Sequence, residues 1–358
     1  MCKPLNIAHV SPFAVNRCGL YESARDMARA DTLGGNHVSF IDAGVATKTK
    51  REVPVIGGSD DRAGFNIVTG NPKVLDSADI IIMHTGFNDS YLVKNQAPLL
   101  WVVHGRPLAC FRPERMKSGQ AYSLYNTVSN WPRTKGMLYF WPEFKTHWEG
   151  VLHGKDIVLD YPVIDELRFR CLENTQVLKK KGDINILVCD SEREDVDLYE
   201  MVVGLVEAAK KYQGLKIHFY GMDIPDGKLA NCHNILLGKL KAVGALGDVS
   251  GRIGDMEKVY NSVDCVMSPN RIITRTIGEA LSCGVPVISQ NSSMNLLSDY
   301  TCDMAEPKDI VEAIGLFIND KNNGLINKRV ITDRAQVFSL KNYSDKMNEV
   351  YRKIIEGR

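Results

Sequence analysis

A chain of 358 residues, 44% hydrophobic and 24% charged, is long enough for two ordinary domains and too rich in apolar residues for a disordered segment, and its net charge of +1 gives no global pull toward nucleic acid or membrane. The longest apolar runs, "IIIM" at 80–83 and "LLWVV" at 99–103, are strand-length, and the opening "MCKPLNIAHV" lacks a signal-peptide pattern. Nine cysteines without a C-x-x-C pair suggest neither a disulfide framework nor a zinc site, so the expectation is a cytoplasmic protein with no bound metal.

In chain order, "LNIAHVS" reads as a strand, "PFAVNRCG" as a glycine-bearing loop, "LYESARDMARADTLG" as a helix and "HVSFID" as a second strand. Buried strands follow at "DIIIMH", "LLWVVH", "MLYFW" and "DIVLDY", the last after a helix opened by Pro142. The same grammar restarts at "DINILVCD", continuing through a helix at "VDLYEMVVGLVEAAKKY", a strand at "LKIHFYG", a helix at "MEKVYNSV" and a strand at "DCVMSP". Strands alternating with helices predict an α/β chain with two doubly wound, Rossmann-like parallel sheets facing a cleft. The boundaries expected are 1–165 for the first domain, 166–182 for a linker, 183–338 for the second domain and 339–358 for a final amphipathic helix. Ligands of such sheets lie beyond the carboxyl ends of strands, so function belongs in the loops there.

The stretch "GEALSCGVPVIS" at 278–289 predicts a helix ended by Gly284 at the C′ position, Pro286 beyond it and then a buried strand. Glu279 has two readings. Thr276 and Glu279 have the T-x-x-E spacing of a capping box, and an acid at the head of a helix after a strand can also meet a ligand. Arg271 and Arg275 bring positive charge just before that helix N-terminus, where backbone N–H groups favour an anion. From His104 to Lys145 the chain carries a surplus of five positive charges interleaved with aromatic residues, including Arg106, Arg112 and Arg115 in "RPLACFRPERMKSG". Such a region suits an anionic partner bound through phosphate contacts and base stacking.

Taken together, "HVSPFAVNRCGLYESARDMARA", "LLWVVHG", "YPVIDELRF", "GDVSGRIGDMEKVYNSVDCVMSP", "GEALSCGVPVIS" and "VFSLKNYSDKMNEVYRKI" resemble, in order, the landmarks of family 4 glycosyltransferases of the GT-B fold. The resemblance implies a first domain for the acceptor, a second for a nucleotide-diphosphate sugar such as a UDP-sugar, and a last helix that crosses back to the first domain. It implies a retaining reaction without cofactor or metal, in which a leaving phosphate oxygen takes the acceptor's proton. Glu279 matches the second acid of the family's E-x7-E motif, on the donor ribose; His104 matches its catalytic-site histidine beside the transferred sugar. Gly19 matches the glycine by the donor phosphates.

Two departures follow. The first acid of E-x7-E falls on Arg271, and the loop after the first strand of the second domain, "CDSEREDVD", has only Arg193 where the family carries an Arg and a Lys. Arg193, Arg271 and Arg275 are the residues expected to neutralise the donor diphosphate. The acceptor stays open between a saccharide, a lipid-linked or small-molecule hydroxyl, with Arg106, Arg112 and Arg115 beside it, and a hydroxymethylated base in DNA, as for phage-encoded enzymes of this fold acting in the host cytoplasm. A non-catalytic nucleotide-binding module is the alternative from a different class.

Overall fold

The computed structural model describes residues 3–11, 19–42, 66–68, 72–84, 96–104, 132–140, 145–146, 156–173, 175–189, 198–221, 228–251, 253–292 and 297–357. The chain divides into two compact units, one of Met1–Asp165 with Phe338–Arg358 and one of Glu166–Val337.

The first unit contains β1 (Asn6–Ser11), α1 (Gly19–Leu33), β2 (His37–Asp42), β3 (Asn66–Val68), β4 (Ile80–Met83), β5 (Leu99–Val103), β6 (Thr134–Phe140) and β7 (Asp156–Asp160). All these strands pair in parallel, in the order β3-β2-β1-β4-β5-β6-β7. Strands β4 and β5 are buried along their whole length, as strands covered on both faces must be, which is why their sequences are continuous apolar runs without alternation. The order reverses between β1 and β4, so the crevice at the carboxyl ends of these two strands is the switch point of the sheet.

The second unit contains β8 (Ile184–Val188), α2 (Leu198–Lys211), β9 (Leu215–Tyr220), α3 (Lys228–Ala242), β10 (Leu246–Ser250), α4 (Met256–Tyr260), β11 (Cys265–Ser268), α5 (Arg275–Ser282), β12 (Val287–Gln290), β13 (Tyr300–Cys302), α6 (Pro307–Asn322) and α7 (Lys328–Arg334). Its parallel sheet has the order β10-β9-β8-β11-β12-β13, with the switch between β8 and β11. The core gathers Ile186 and Val188 of β8, Met201 and Leu205 of α2, Ile217 of β9 and Ile310, Ile314 and Phe317 of α6. Residues 166–182 belong to this unit.

The final helix α8 (Leu340–Ile355) starts at Ser339, whose hydroxyl accepts from the N–H of Asn342, and it packs on α1 within the first unit. Asn36 Nδ2 donates to Asn348 Oδ1 at 2.8 Å, and Ile164 bridges to Ser339. Asp165, the last residue before the second unit, is buried, pairs with Arg29 and donates its backbone N–H to the carboxylate of Asp26.

Candidate active site

In the second unit the residues after the switch strand β11 build a compact polar cluster. Helix α5 begins at Arg275 because Thr274 is extended (φ −86°, ψ 168°), and it is held down by Ile277, Ala280 and Leu281, all buried. It ends as expected: Gly284 has φ +71°, its N–H bonds to the Leu281 carbonyl at 2.9 Å, and the N–H of Val285 bonds to that of Ala280 at 3.0 Å. That pair of bonds is a Schellman motif, which needs a residue at ease with positive φ.

The capping box does not form. Thr274, not Thr276, is the N-cap, so Thr276 lies inside the helix and Glu279 two residues deeper than a capping box requires. The hydroxyl of Thr274 makes no cap bond and is buried without a partner. Glu279 is instead 9% exposed, with Arg275 Nε donating to its Oε1 at 2.6 Å and the Tyr260 hydroxyl donating to its Oε2 at 2.9 Å. Burial, with Glu279 beside it, pushes the Tyr260 phenol well above its usual range and keeps it a donor. The Arg275 guanidinium lies 5.8 Å from the ring centroid of Phe169, whose other neighbours are Tyr260, edge-on at 6.0 Å, and the guanidinium of Arg168 at 4.8 Å. Arg168 in turn donates to Glu257 at 3.1 Å. Phe169 is thus flanked by two arginines, each held by its own acid.

The structure therefore brings together Arg275 and Glu279, which the sequence assigned to different parts of a ligand. A carboxylate offers about four acceptor positions, so an acid that already holds a guanidinium and a phenol can accept further bonds from a vicinal diol. Arg271 is exposed. Asp303, after β13, is held below the usual carboxylate range by the Ala305 N–H and the Gln290 amide, with the charge of Arg271 adding to them. Tyr260, Phe169 and Arg168 were not singled out from sequence. Tyr260 sits in an amphipathic helix where a tyrosine reads as core, and Arg168 and Phe169 sit in a stretch without periodicity.

In the first unit His104 follows β5 and is half-buried. Its Nε2 lies 2.9 Å from Nδ1 of His84, which follows β4; His84 Nε2 lies 3.0 Å from Nδ1 of His9, within β1; His9 Nε2 lies 2.8 Å from Oδ2 of Asp31 on α1. The rings of His9 and His84 are stacked with centroids 5.3 Å apart, and those of His84 and His104 stand 5.2 Å apart. Asp31 Oδ2 also accepts from the Tyr351 hydroxyl of α8 at 3.0 Å, and that hydroxyl lies 2.8 Å from the one of Tyr343. Only His104 of this row was singled out from sequence. The signal available was that three strands adjacent in the sheet, "IAHVS", "IIIMH" and "LWVVH", each carry a histidine near the carboxyl end.

Gly19 is the first residue of α1, is exposed, and would carry a Cβ with no heavy atom within 4 Å among the described residues. Arg193, Arg106, Arg112 and Arg115 lie outside the described residues, as does Pro142. Arg133, counted in the basic surplus, stands at the amino end of β6, where Nε and Nη2 both donate to the Ala97 carbonyl at 3.0 and 2.9 Å. These bonds join β6 to the segment before β5, at the amino end of the two strands. Among the described residues no helix is long and apolar enough to cross a membrane.

No protein-family model matches the chain, and no curated protein matches it. Solved structures do. HepE of Anabaena, in complex with UDP-glucose, is 12% identical and aligns over 98% of this chain and 100% of its own with a TM-score of 0.69. Sucrose-phosphate synthase of Thermosynechococcus elongatus is 14% identical over 99% and 100%, with a TM-score of 0.71. A glycosyltransferase of Rickettsia africae is 13% identical over 99% of each chain, with a TM-score of 0.65. Two parallel-sheet α/β units, a helix that returns to the first of them, and likeness over nearly the full length give this chain the GT-B fold of solved glycosyltransferases.

Proposed function

We propose that the chain is a glycosyltransferase that moves a sugar from a nucleotide diphosphate, most simply a UDP-sugar, to an acceptor hydroxyl with retention of configuration and without a metal. The observation that carries this reading is the placement of a buried carboxylate, Glu279, on the helix that follows the switch strand β11, in a chain with the GT-B fold. Glu279, oriented by Tyr260 and Arg275, receives the ribose hydroxyls of the donor. Arg271 and the N–H groups at the head of α5 receive the diphosphate, with Arg193 in the loop after β8 and Gly19 at the head of α1 in the roles the resemblance gives them. Cationic and N–H donors aimed at the departing phosphates stabilise the charge that develops there, which is the work a metal does in other enzymes. The first unit takes the acceptor, with His104 beside the transferred sugar. The HepE structures with UDP-glucose and with UDP support a UDP-linked donor.

Calorimetry with a panel of nucleoside diphosphates and nucleotide sugars tests the donor site. At least one nucleotide sugar is expected to bind, and Glu279→Ala is expected to weaken it by about 1.5–3 kcal/mol, the range for hydrogen bonds to a charged group. An unchanged affinity in a folded Glu279→Ala protein contradicts the ribose role.

A further inference from the structure

Thr274, at the head of the eight-residue helix α5, has the extended backbone of an N-cap, and its carbonyl accepts the first bond of the helix, from the N–H of Gly278 at 3.2 Å. A threonine in that place ordinarily turns its hydroxyl onto the N–H two or three residues on, here Thr276 or Ile277, which precede the first intrahelical bond. Thr274 makes no such bond. Its Oγ1 is instead buried with no hydrogen-bond partner, in a stretch where Ile272, Ile273 and Ile277 are all buried. A hydroxyl in that condition costs free energy that a methyl in the same place does not.

Two unmet requirements therefore meet at one residue, a hydroxyl without an acceptor and a helix head without its side-chain cap. One ligand satisfies both. An anion over the end of α5 accepts from the N–H groups of Thr276 and Ile277, while a turn about the Thr274 Cα–Cβ bond exchanges hydroxyl and methyl between staggered positions. The hydroxyl then leaves a place where it bonds nothing and donates to the anion as well.

We propose that Thr274 is a further donor-binding residue, whose hydroxyl donates to a phosphate oxygen of the nucleotide diphosphate. This rests on the proposed transferase reading, and it adds an uncharged side-chain donor to Arg271 and the backbone N–H groups that receive the diphosphate there. A hydrogen bond from a hydroxyl to an oxyanion is among the strong ones. The residue type fits the role. Aspartate caps a helix better than threonine, but it would set a negative charge against the phosphates and has no proton to donate. Removing the hydroxyl should accordingly move stability and affinity in opposite directions, since the free protein loses an unpaired polar group and the complex loses a bond.

The test is calorimetry and melting of the wild type, Thr274→Val and Thr274→Ser. The ligands are whichever of UDP, GDP, ADP and CDP the wild type binds best, and the matched nucleoside. Thr274→Val keeps the shape and removes the hydroxyl; it should bind the diphosphate about tenfold to a hundredfold more weakly, with the nucleoside within about twofold. Without ligand it should melt no earlier than the wild type, because no cap bond is lost. Thr274→Ser, which keeps the hydroxyl, should stay within about threefold of the wild type for both ligands. A Thr274→Val protein that binds the diphosphate as tightly as the wild type overturns the proposal, as does an equal loss for diphosphate and nucleoside together with a lower melting temperature, the mark of a structural hydroxyl. Thr274→Ala carries the same affinity comparison if the valine variant does not fold. The two readings fail separately: a wild type that binds none of the four diphosphates removes the donor site and Thr274 with it, whereas wild-type binding left intact by the valine removes only Thr274.

Discussion

Tyr260→Phe removes one of the polar partners that fix the Glu279 carboxylate while leaving the ring against Phe169. A buried acid that loses a donor costs about 1–3 kcal/mol, so the variant should melt earlier than the wild type. Nucleotide affinity should fall as well, by less than in Glu279→Ala, because the carboxylate remains but is less well oriented. Affinity unchanged in Tyr260→Phe would mean that Tyr260 serves only the fold. At this scale the sequence was legible where one residue type at one place has few alternatives. Gly284 before Pro286 is such a case, and its positive φ is what the C′ position demands. Glu279 was legible as an acid at a helix head, but its partners were not. Arg275 meets it by the local i,i+4 spacing, but Tyr260 comes from a different helix, and nothing in local spacing brings it there. The same holds for His9, which meets His84 and through it His104 by the pairing of β1 with β4 and β4 with β5, and for Asp31, which α1 brings to His9.

Packing between elements depends on positions where a side chain would not fit. Gly204 lies within α2, and a Cβ there would come within 2.5 Å of Ile310 on α6. Alanine is the better helix former by about 1 kcal/mol, yet overpacking costs about 1–3 kcal/mol, so Gly204→Ala should be destabilising overall. Gly284→Ala faces two obstacles, the positive φ and a Cβ 2.7 Å from Cys171 Sγ, and should lower stability by more than Gly204→Ala. Denaturant melts of the two variants check both, and a stabilised Gly204→Ala would show that α6 moves aside. Elements with strong periodicity or continuous apolar runs were read correctly from sequence, including β1, β4, β5, β8, α2 and α8. The short strands β3 and β13 were not, because three residues at a sheet edge carry no pattern; neither were α3, β10, α6 and α7, although Ile310, Ile314 and Phe317 give α6 a helical apolar spacing. The Thr276 capping box puts the N-cap of α5 two residues late, since the cap is Thr274.

Across the whole molecule, alternation of buried strands with amphipathic helices was enough to predict two parallel sheets, since only covered strands are apolar on both faces. What alternation does not encode is which unit a terminal helix joins. The place of α8 on α1 depends on contacts such as Asn36 with Asn348 and Asp31 with Tyr351, more than 300 residues apart in the chain. The second of these contacts ties α8 to the Asp31 end of the histidine row. The central claim is sugar transfer, and the direct measurement is release of nucleotide diphosphate and formation of glycosylated product when the protein is given UDP-sugars with glycans, small-molecule hydroxyls or hydroxymethylated DNA. Product is expected from at least one pairing, the sugar linked with the donor's configuration, formed by the wild-type protein in the presence of a chelator and largely lost in His104→Ala while nucleotide diphosphate still binds. Tight nucleotide binding with no release of sugar to any acceptor or to water would contradict it.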